Sequence, residues 1–326
     1  MNSRQRVLAA LRLEQPDRVP FVEGDISPVI ERALLGKEVY EPEEVNEVMG
    51  LDSQLALFLP PIIAQYHEQD GINYVAAPLL RTRADLDKLV LPDTDDPALY
   101  RAAEEMVRRN QGRYAVAAKM RMGVSPTLLS MGLDNFAYAL ADDPGLVDTI
   151  VGRYADWSIA ILGRLREVGV DFVWTMDDMA YRAGPMFSPR VLRQVFMPHM
   201  RRVAGAIRAT GLPWIFHSDG NVMPFLDDLL TLGFDGLHPI EPGPMDIEAL
   251  KRQIGHRVCL IGNIDLHYTL TLGEPQEVED EVKRRIEVVG KGGGYMISSA
   301  NSITSYCRVE NVKAMIAAIR RYGAYG

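Results

Sequence analysis

PWIFHSDGNVMPFLDDLLTLGFDGLHPIEP, residues 213–242, contains two short apolar runs, PWIFH (213–217) and FDGLHPIE (234–241), separated by a longer amphipathic segment. Strand, helix, strand is the unit of a parallel sheet buried on both faces. The alternation continues outward. YAVAAKM (114–120) and VDFVWTM (170–176) precede this stretch, and RVCLIGNID (257–265) and GYMISS (294–299) follow it. RVPFVEG (18–24) and the weaker INYVAAP (72–78) bring the expected strands to eight. The segments between them carry helix-start signals. Asp143-Pro144 and Ser188-Pro189 each set a capping side chain before a proline at the first helical position. Glu274-Pro275 opens a helix whose Val278, Val282, Ile286 and Val289 share one face.

Eight strands without a linker predict an α/β fold: a single (β/α)8 TIM-type barrel domain, spanning 1–326, with an extra N-terminal helix packed outside it. An open dinucleotide-binding sheet needs a Gly-rich turn after a strand. GKGGG (290–294) precedes one and reads as a helix end and turn, so no nucleotide cofactor is expected.

With 35 Lys and Arg against 44 Asp and Glu, the net charge is −9, which disfavours nucleic acid and anionic membrane as partners. The chain has 326 residues, 47% of them hydrophobic, enough for a large core. No run is apolar enough for a signal peptide or a membrane span. Two cysteines exclude a disulfide framework, and a cytoplasmic location is expected.

Chemistry in such barrels sits at the C-terminal ends of the strands. Polar residues close nearly every run here: Glu23 and Asp25, Lys119 and Arg121, Asp177 and Asp178, His217 through Asn221, His238 and Glu241, Asn263 and Asp265, Asn301 and Ser302. Asp178, His217, Glu241 and Asn301 are the expected catalytic set. Glu23, Asp25, Arg121, Asp177, Asn263 and Asp265 are expected to contact substrate. Adjacent strand residues point to opposite sides, so of the Asp177-Asp178 pair the second is favoured for the pocket. Asn263 and Asp265 read equally well as turn formers. Cys259, inside VCLIG, reads as core, and His67, His199, His256 and His267 as surface residues. Met120, Met122, Met176, Met179 and Met186 near the mouth suit a partly aromatic substrate, or serve as adaptable filler.

The chain resembles the uroporphyrinogen decarboxylase superfamily over essentially its whole length. The resemblance is carried by RQRVLAALRLEQPDRVP (4–20), DDMAYRAGPMFSPRVLRQVFMPHMRRV (177–203), residues 217–242, GNIDLHYTLTLGEPQEVEDEVKRRI (262–286), GGGYMISSANSIT (292–304) and VENVKAM (309–315). It implies a (β/α)8 barrel and one of two activities. One is cofactor-free decarboxylation of uroporphyrinogen III. The other is methyl transfer involving a corrinoid protein and a thiol or ether substrate, usually with zinc.

True decarboxylases follow their first strand with an arginine-rich FRQAGRY-type motif that holds substrate carboxylates. Here the stretch is VPFVEGDISPVI (19–30), with Glu23 and Asp25 in place of cations, and Leu129 and Ser130 stand near where a tyrosine is expected. Asn301 aligns with their late histidine, while GNID (262–265) resembles their GNLD. In the zinc branch the resemblance implies His-x-Cys after the fifth strand and a late Cys. His217 fits, Asp219 replaces the first Cys, and Cys307 lies six residues beyond Asn301. His217 with Asp219, Glu241 and Cys307 is thus the expected metal set, suited to zinc or, without the thiol, to a harder divalent ion. A metal-free acid–base site is the competing reading. The function expected is a metal-assisted methyltransferase or demethylase acting between a small ether or thiol and a corrinoid partner protein. A homodimer is compatible with it. The alternatives are a decarboxylase acting on a tetrapyrrole or small acid, and a non-catalytic tetrapyrrole- or corrinoid-binding barrel. A mere binder has little use for so many ionisable strand ends.

Overall fold

A computed structural model describes residues 1–69 and 72–325. Its strands are β1 (Ser53–Leu57), β2 (Ala64–Gln69), β3 (Ile72–Pro78), β4 (Ala115–Met120), β5 (Phe172–Met176), β6 (Ala180–Tyr181), β7 (Gly184–Pro185), β8 (Trp214–His217), β9 (Gly236–His238), β10 (Cys259–Ile261) and β11 (Tyr295–Met296). Seven of them form one sheet in the order β1-β4-β5-β8-β9-β10-β11, with every pairing parallel.

The segment 20–22 closes this sheet into a barrel. Val22 N–H donates to the Ile297 carbonyl at 3.1 Å and Ile297 N–H to the Pro20 carbonyl at 2.9 Å. On its other side, Asp52 N–H donates to the Phe21 carbonyl at 2.7 Å, just before β1. The fold is a TIM-type (β/α)8 barrel whose first stave is this short segment.

The second stave corrects the sequence reading. It is β1, SQLAL, and not INYVAAP. INYVAAP is β3, which pairs antiparallel with β2 in a hairpin apart from the barrel sheet. Ser53 and Gln54 are buried polar residues, and they blur the apolar signal of the true stave.

Inward and outward residues alternate as a buried parallel sheet requires. Ala115, Ala117, Phe172, Trp174, Met176, Ile215, Cys259, Ile261 and Met296 share one core inside the barrel. Val116, Ala118, Val173, Trp214, Phe216, Leu260 and Tyr295 belong to the second core, under the helices. The N-terminal helix Ser3–Leu11 inserts Val7, Ala10 and Leu11 into the inner core. It plugs the barrel floor instead of flanking the outside, with Arg4 Nε donating to Asp171 ahead of β5 at 2.6 Å.

The helix-start signals act as expected. Asp143 accepts from Leu146 N–H at the head of helix Pro144–Val168, and Ser188 caps Pro189–Val191. Glu274 and Glu277 form a capping box on helix Pro275–Val288, whose Val278, Val282 and Ile286 are buried, as is Val289 just beyond it. At the turn into β11, Gly293 has φ +80°, and a Cβ there would stand 2.6 Å from the Glu14 carbonyl.

Candidate active site

The inward parity that builds the barrel core carries on to its C-terminal mouth. Beyond Ala115 and Ala117 comes Lys119, beyond Ile215 comes His217, beyond Gly236 comes His238, and two past Met176 comes Asp178. His217 lies on β8, with its neighbours at the ends of flanking staves.

His217 Nε2 stands 3.3 Å from Asp178 Oδ1 and 3.5 Å from Asp219 Oδ1. Its Nδ1 lies 2.6 Å from His238 Nδ1. Asp178 is fixed by accepting from Asp219 N–H at 3.1 Å and by donating its own N–H to Ser125 Oγ at 2.7 Å. Asn301 Nδ2 donates to Asp219 Oδ2, which leaves Asp219 Oδ1 buried without a hydrogen-bond donor. Behind His238, the Trp174 ring packs edge-on at 4.9 Å.

The electrostatics follow from this geometry. Burial alone would lower the His217 pKa, but the hydrogen bond to Asp178 and the charges of Asp219 and Asp178 outweigh it and raise the value. Burial would likewise push Asp178 up, yet its hydrogen bond with His217 holds it below the usual carboxylate range. Asp219 is pushed up to about 6, chiefly by burial; the charge of His217 opposes this, and those of Asp178 and Glu241 add to it. Burial, then the charges of His217 and Lys119, hold His238 far below the ordinary imidazole value, so it stays neutral.

Two cavities flank the cluster. Asp219 opens into a cavity of about 660 Å³ with Glu241, Asn301, Arg182, His267 and Tyr306 on its walls. Asp178 opens into a slot of about 250 Å³ walled by Leu128, Leu129, Leu133, Met186 and the hairpin residues Val75 and Pro78. Within the larger cavity, Glu241 accepts from His267 Nε2 at 3.1 Å, Arg182 Nη1 at 3.4 Å and Gly220 N–H at 3.1 Å.

The profile of the family described as uroporphyrinogen decarboxylase (URO-D) matches residues 64–322. The chain belongs to the uroporphyrinogen decarboxylase family. Among URO-D relatives, the uroporphyrinogen decarboxylase of Chlorobium limicola is 23% identical over 294 residues, 86% of this chain and 77% of that protein. The methylcobamide:CoM methyltransferase MtaA of Methanosarcina barkeri is 28% identical over 167 residues, 51% of this chain and 46% of its own length. A solved methyltransferase from Methanosarcina mazei shares the fold, with a TM-score of 0.78 at 20% identity over 99% of both chains.

Asp178, His217 and Asp219 offer one nitrogen and two carboxylate oxygens, all within 4.8 Å of one another. Among the described residues this is the one such group of three or more. Its Asp219 Oδ1 is buried without a hydrogen-bond donor and lies 3.5 Å from His217 Nε2. Glu241 and Cys307, expected in the metal set, stand outside the group. Glu241 is committed to Arg182 and His267, and Cys307 is buried beside Thr304 Oγ1 at 3.6 Å, with its thiol pushed up by burial.

Several expected substrate contacts prove to be internal. Glu23 is buried and accepts from Ser299 N–H at 2.8 Å and Ser299 Oγ at 2.7 Å; burial pushes it up to about 8. Asp177 points away from the mouth and accepts from the Met122 and Ser125 N–H groups, tying β5 to the helix Val124–Met131. Asn263 donates to the Ile240 carbonyl at 2.6 Å, and Asp265 accepts from the His267 and Tyr268 N–H groups as a turn former. Asp25 remains at the rim, exposed and 3.4 Å from Lys119 Nζ. Arg121 keeps a buried Nη1 without an acceptor, and its charge favours the ionised forms of Asp178 and Asp177.

Sequence reasoning passed over His238 and Lys119 as site residues, although both follow the inward parity of their staves. His267 is exposed, as the sequence reading has it, and stands on the wall of the larger cavity. Of the five mouth methionines, Met120, Met122 and Met179 are buried core, and Met186 alone walls the apolar slot.

Proposed function

We propose that this chain is a methyltransferase component that moves a methyl group between the oxygen or sulfur of a small ether or thiol and a corrinoid carried by a partner protein. The observation that carries this reading is the Asp178–His217–Asp219 set at the barrel mouth. The relative and the solved structure named as methyltransferases support it.

In this reading His217 Nε2 and one oxygen each of Asp178 and Asp219 hold a divalent ion, zinc first among candidates. Three protein ligands and one open position are the pattern of a catalytic zinc site. An ion so bound supplies Lewis acidity toward a substrate oxygen or sulfur, lowering the pKa of the thiol or hydroxyl. His238 holds the His217 ring in one orientation through the Nδ1 contact. Asn301 and the Asp219 backbone N–H keep the two carboxylates aimed at Nε2. Arg182 and His267 face the polar end of a substrate in the larger cavity. In the demethylation direction the carbon–heteroatom bond breaks and the methyl passes to reduced cobalt on the partner. The bonding pair stays on the heteroatom, which leaves as an anion.

Decarboxylation of uroporphyrinogen fits the charges less well. Its many carboxylates would meet Asp25, Asp178, Asp219 and Glu241, while Lys119 and Arg182 are already paired. At this mouth Arg121 Nη1 is buried without an acceptor and Arg182 donates from Nη1 alone, so two guanidinium groups would face a substrate of many carboxylates beside four protein carboxylates.

The test is anaerobic incubation of the zinc-loaded chain with free cob(I)alamin and a panel of methyl ethers and thioethers. Methylcobalamin should form with the wild type and not with His217→Ala. Coproporphyrinogen appearing from uroporphyrinogen III, with no methylcobalamin from any donor, would overturn the reading.

A further inference from the structure

The two carboxylates that face His217 open onto cavities of opposite character. Asp219 meets the polar cavity of about 660 Å³, and Asp178 meets the slot of about 250 Å³. Leu128, Leu129 and Leu133 form one wall of the slot, Met186 another, and Val75 and Pro78 of the β2–β3 hairpin the third. Its polar lining is Asp178 and Ser125, and Ser125 is already engaged. Its Oγ accepts from Asp178 N–H at 2.7 Å and its N–H donates to Asp177 at 2.9 Å. A group entering the slot therefore finds, besides the reaction cluster itself, a single polar partner in the Ser125 hydroxyl, against walls that are otherwise apolar.

Size narrows the occupant. A dry apolar cavity of about 150 Å³ already holds benzene. A slot of about 250 Å³ has room for one six-membered ring with a short substituent. Gly132 keeps the walls this close: its φ is +75°, and a Cβ there would lie 2.8 Å from Pro78 Cγ. Any side chain at 132 would push the hairpin away from the Leu128–Leu133 wall.

We propose that the slot takes the apolar, ring-sized body of the substrate, so that the substrate class is a monocyclic aryl methyl ether or thioether. The heteroatom then lies at the His217 cluster, and any polar ring substituent reaches toward the larger cavity. The assignment of the heteroatom rests on the methyl-transfer reading; the occupancy of the slot rests on its shape and lining.

The experiment is a calorimetric or saturation-transfer titration of anisole into the zinc-loaded chain and into Leu129→Trp. Leu129 is 40% exposed at the slot, so an indole there fills space without entering the core. Wild type should bind anisole, and Leu129→Trp should weaken it at least tenfold while zinc content and Tm stay unchanged. A second blocking variant, Leu133→Trp, should act alike. No anisole binding to the wild type, or equal affinity in both variants, overturns the proposal. Demethylation of dimethyl ether with anisole neither bound nor demethylated overturns it too, and leaves the methyl-transfer reading standing. Anisole bound in a Leu129-dependent way without methyl transfer from any donor supports the slot and defeats that reading.

Discussion

His217 and His238 meet Nδ1 to Nδ1 at 2.6 Å across the adjacent staves β8 and β9. One nitrogen must carry the proton and the other must be bare. His238 is held neutral by burial and by its charged neighbours. When His217 is cationic, or when its Nε2 is bare toward a metal ion, its Nδ1–H donates and His238 accepts. The His238 proton then sits on Nε2, an atom buried without a partner. His238 is therefore a positioning residue that selects the His217 tautomer.

His238→Leu should lower zinc affinity about 10- to 100-fold, the usual cost of removing an orienting partner. His238→Gln, which keeps an acceptor, should recover part of it. Competition against a chromophoric chelator reads both. A filler role for His238 would leave zinc affinity unchanged and move only the melting temperature.

Glu23 gives the chain a pH dependence through a carboxyl that is hydrogen-bonded only to Ser299. Its folded-state pKa is pushed up to about 8 by burial, so the folded protein holds a proton that the unfolded chain releases above the ordinary carboxyl range. Where the native state binds more protons, stability falls as pH rises. The contribution is intact below the unfolded value and is lost progressively up to about pH 8. Glu23→Gln can keep both Ser299 contacts without that proton. Its stability relative to wild type should improve by roughly 1–3 kcal/mol between pH 5 and pH 8, read from denaturant unfolding. A pH-independent difference would show that Glu23 does not titrate in this window.

Gly220 joins Asp219 to the rest of the site. Its φ is +76°, and a Cβ there would lie 2.5 Å from Ala180 C and Tyr181 N. Gly220→Ala must displace the loop that carries Asp219 and breaks the approach of Gly220 N–H to Glu241. Zinc binding should weaken at least tenfold, with about 1–3 kcal/mol lost in stability. Unchanged zinc affinity would detach this loop from the metal site.

The floor plug has the opposite signature. Leu11 is 4% exposed and packs inside the barrel at the end away from His217. Leu11→Ala should cost about 2–4 kcal/mol through the cavity it leaves. Zinc affinity should stay at the wild-type value, and a fall in both would place the helix nearer the site than its contacts show.

What the sequence disclosed and what it hid follow from periodicity. Staves 3 through 8 were legible because runs such as VDFVWTM and PWIFH are apolar on both faces, as strands under helices must be. β1 escaped because Ser53 and Gln54 are polar at its buried start, and the more apolar INYVAAP drew the assignment to a hairpin. Asp178 over Asp177 was readable from period-two parity alone. The same parity points to Lys119 and His238, whose inward aim a search for metal-ligand motifs overlooked. Glu23 and Asp177 misled because residue type says nothing about partners: Glu23 is consumed by the N–H and hydroxyl of Ser299, and Asp177 by the Met122 and Ser125 N–H groups.

The central claim is that Asp178, His217 and Asp219 form one metal-holding reaction centre. It is tested most directly by metal content on a single pair of proteins, wild type and His217→Ala, loaded with zinc, desalted and measured together with their melting curves. Wild type should retain one zinc per chain and His217→Ala none, with the metal-free forms melting within a few degrees of each other. Equal zinc in both, or none in the wild type, would contradict the claim.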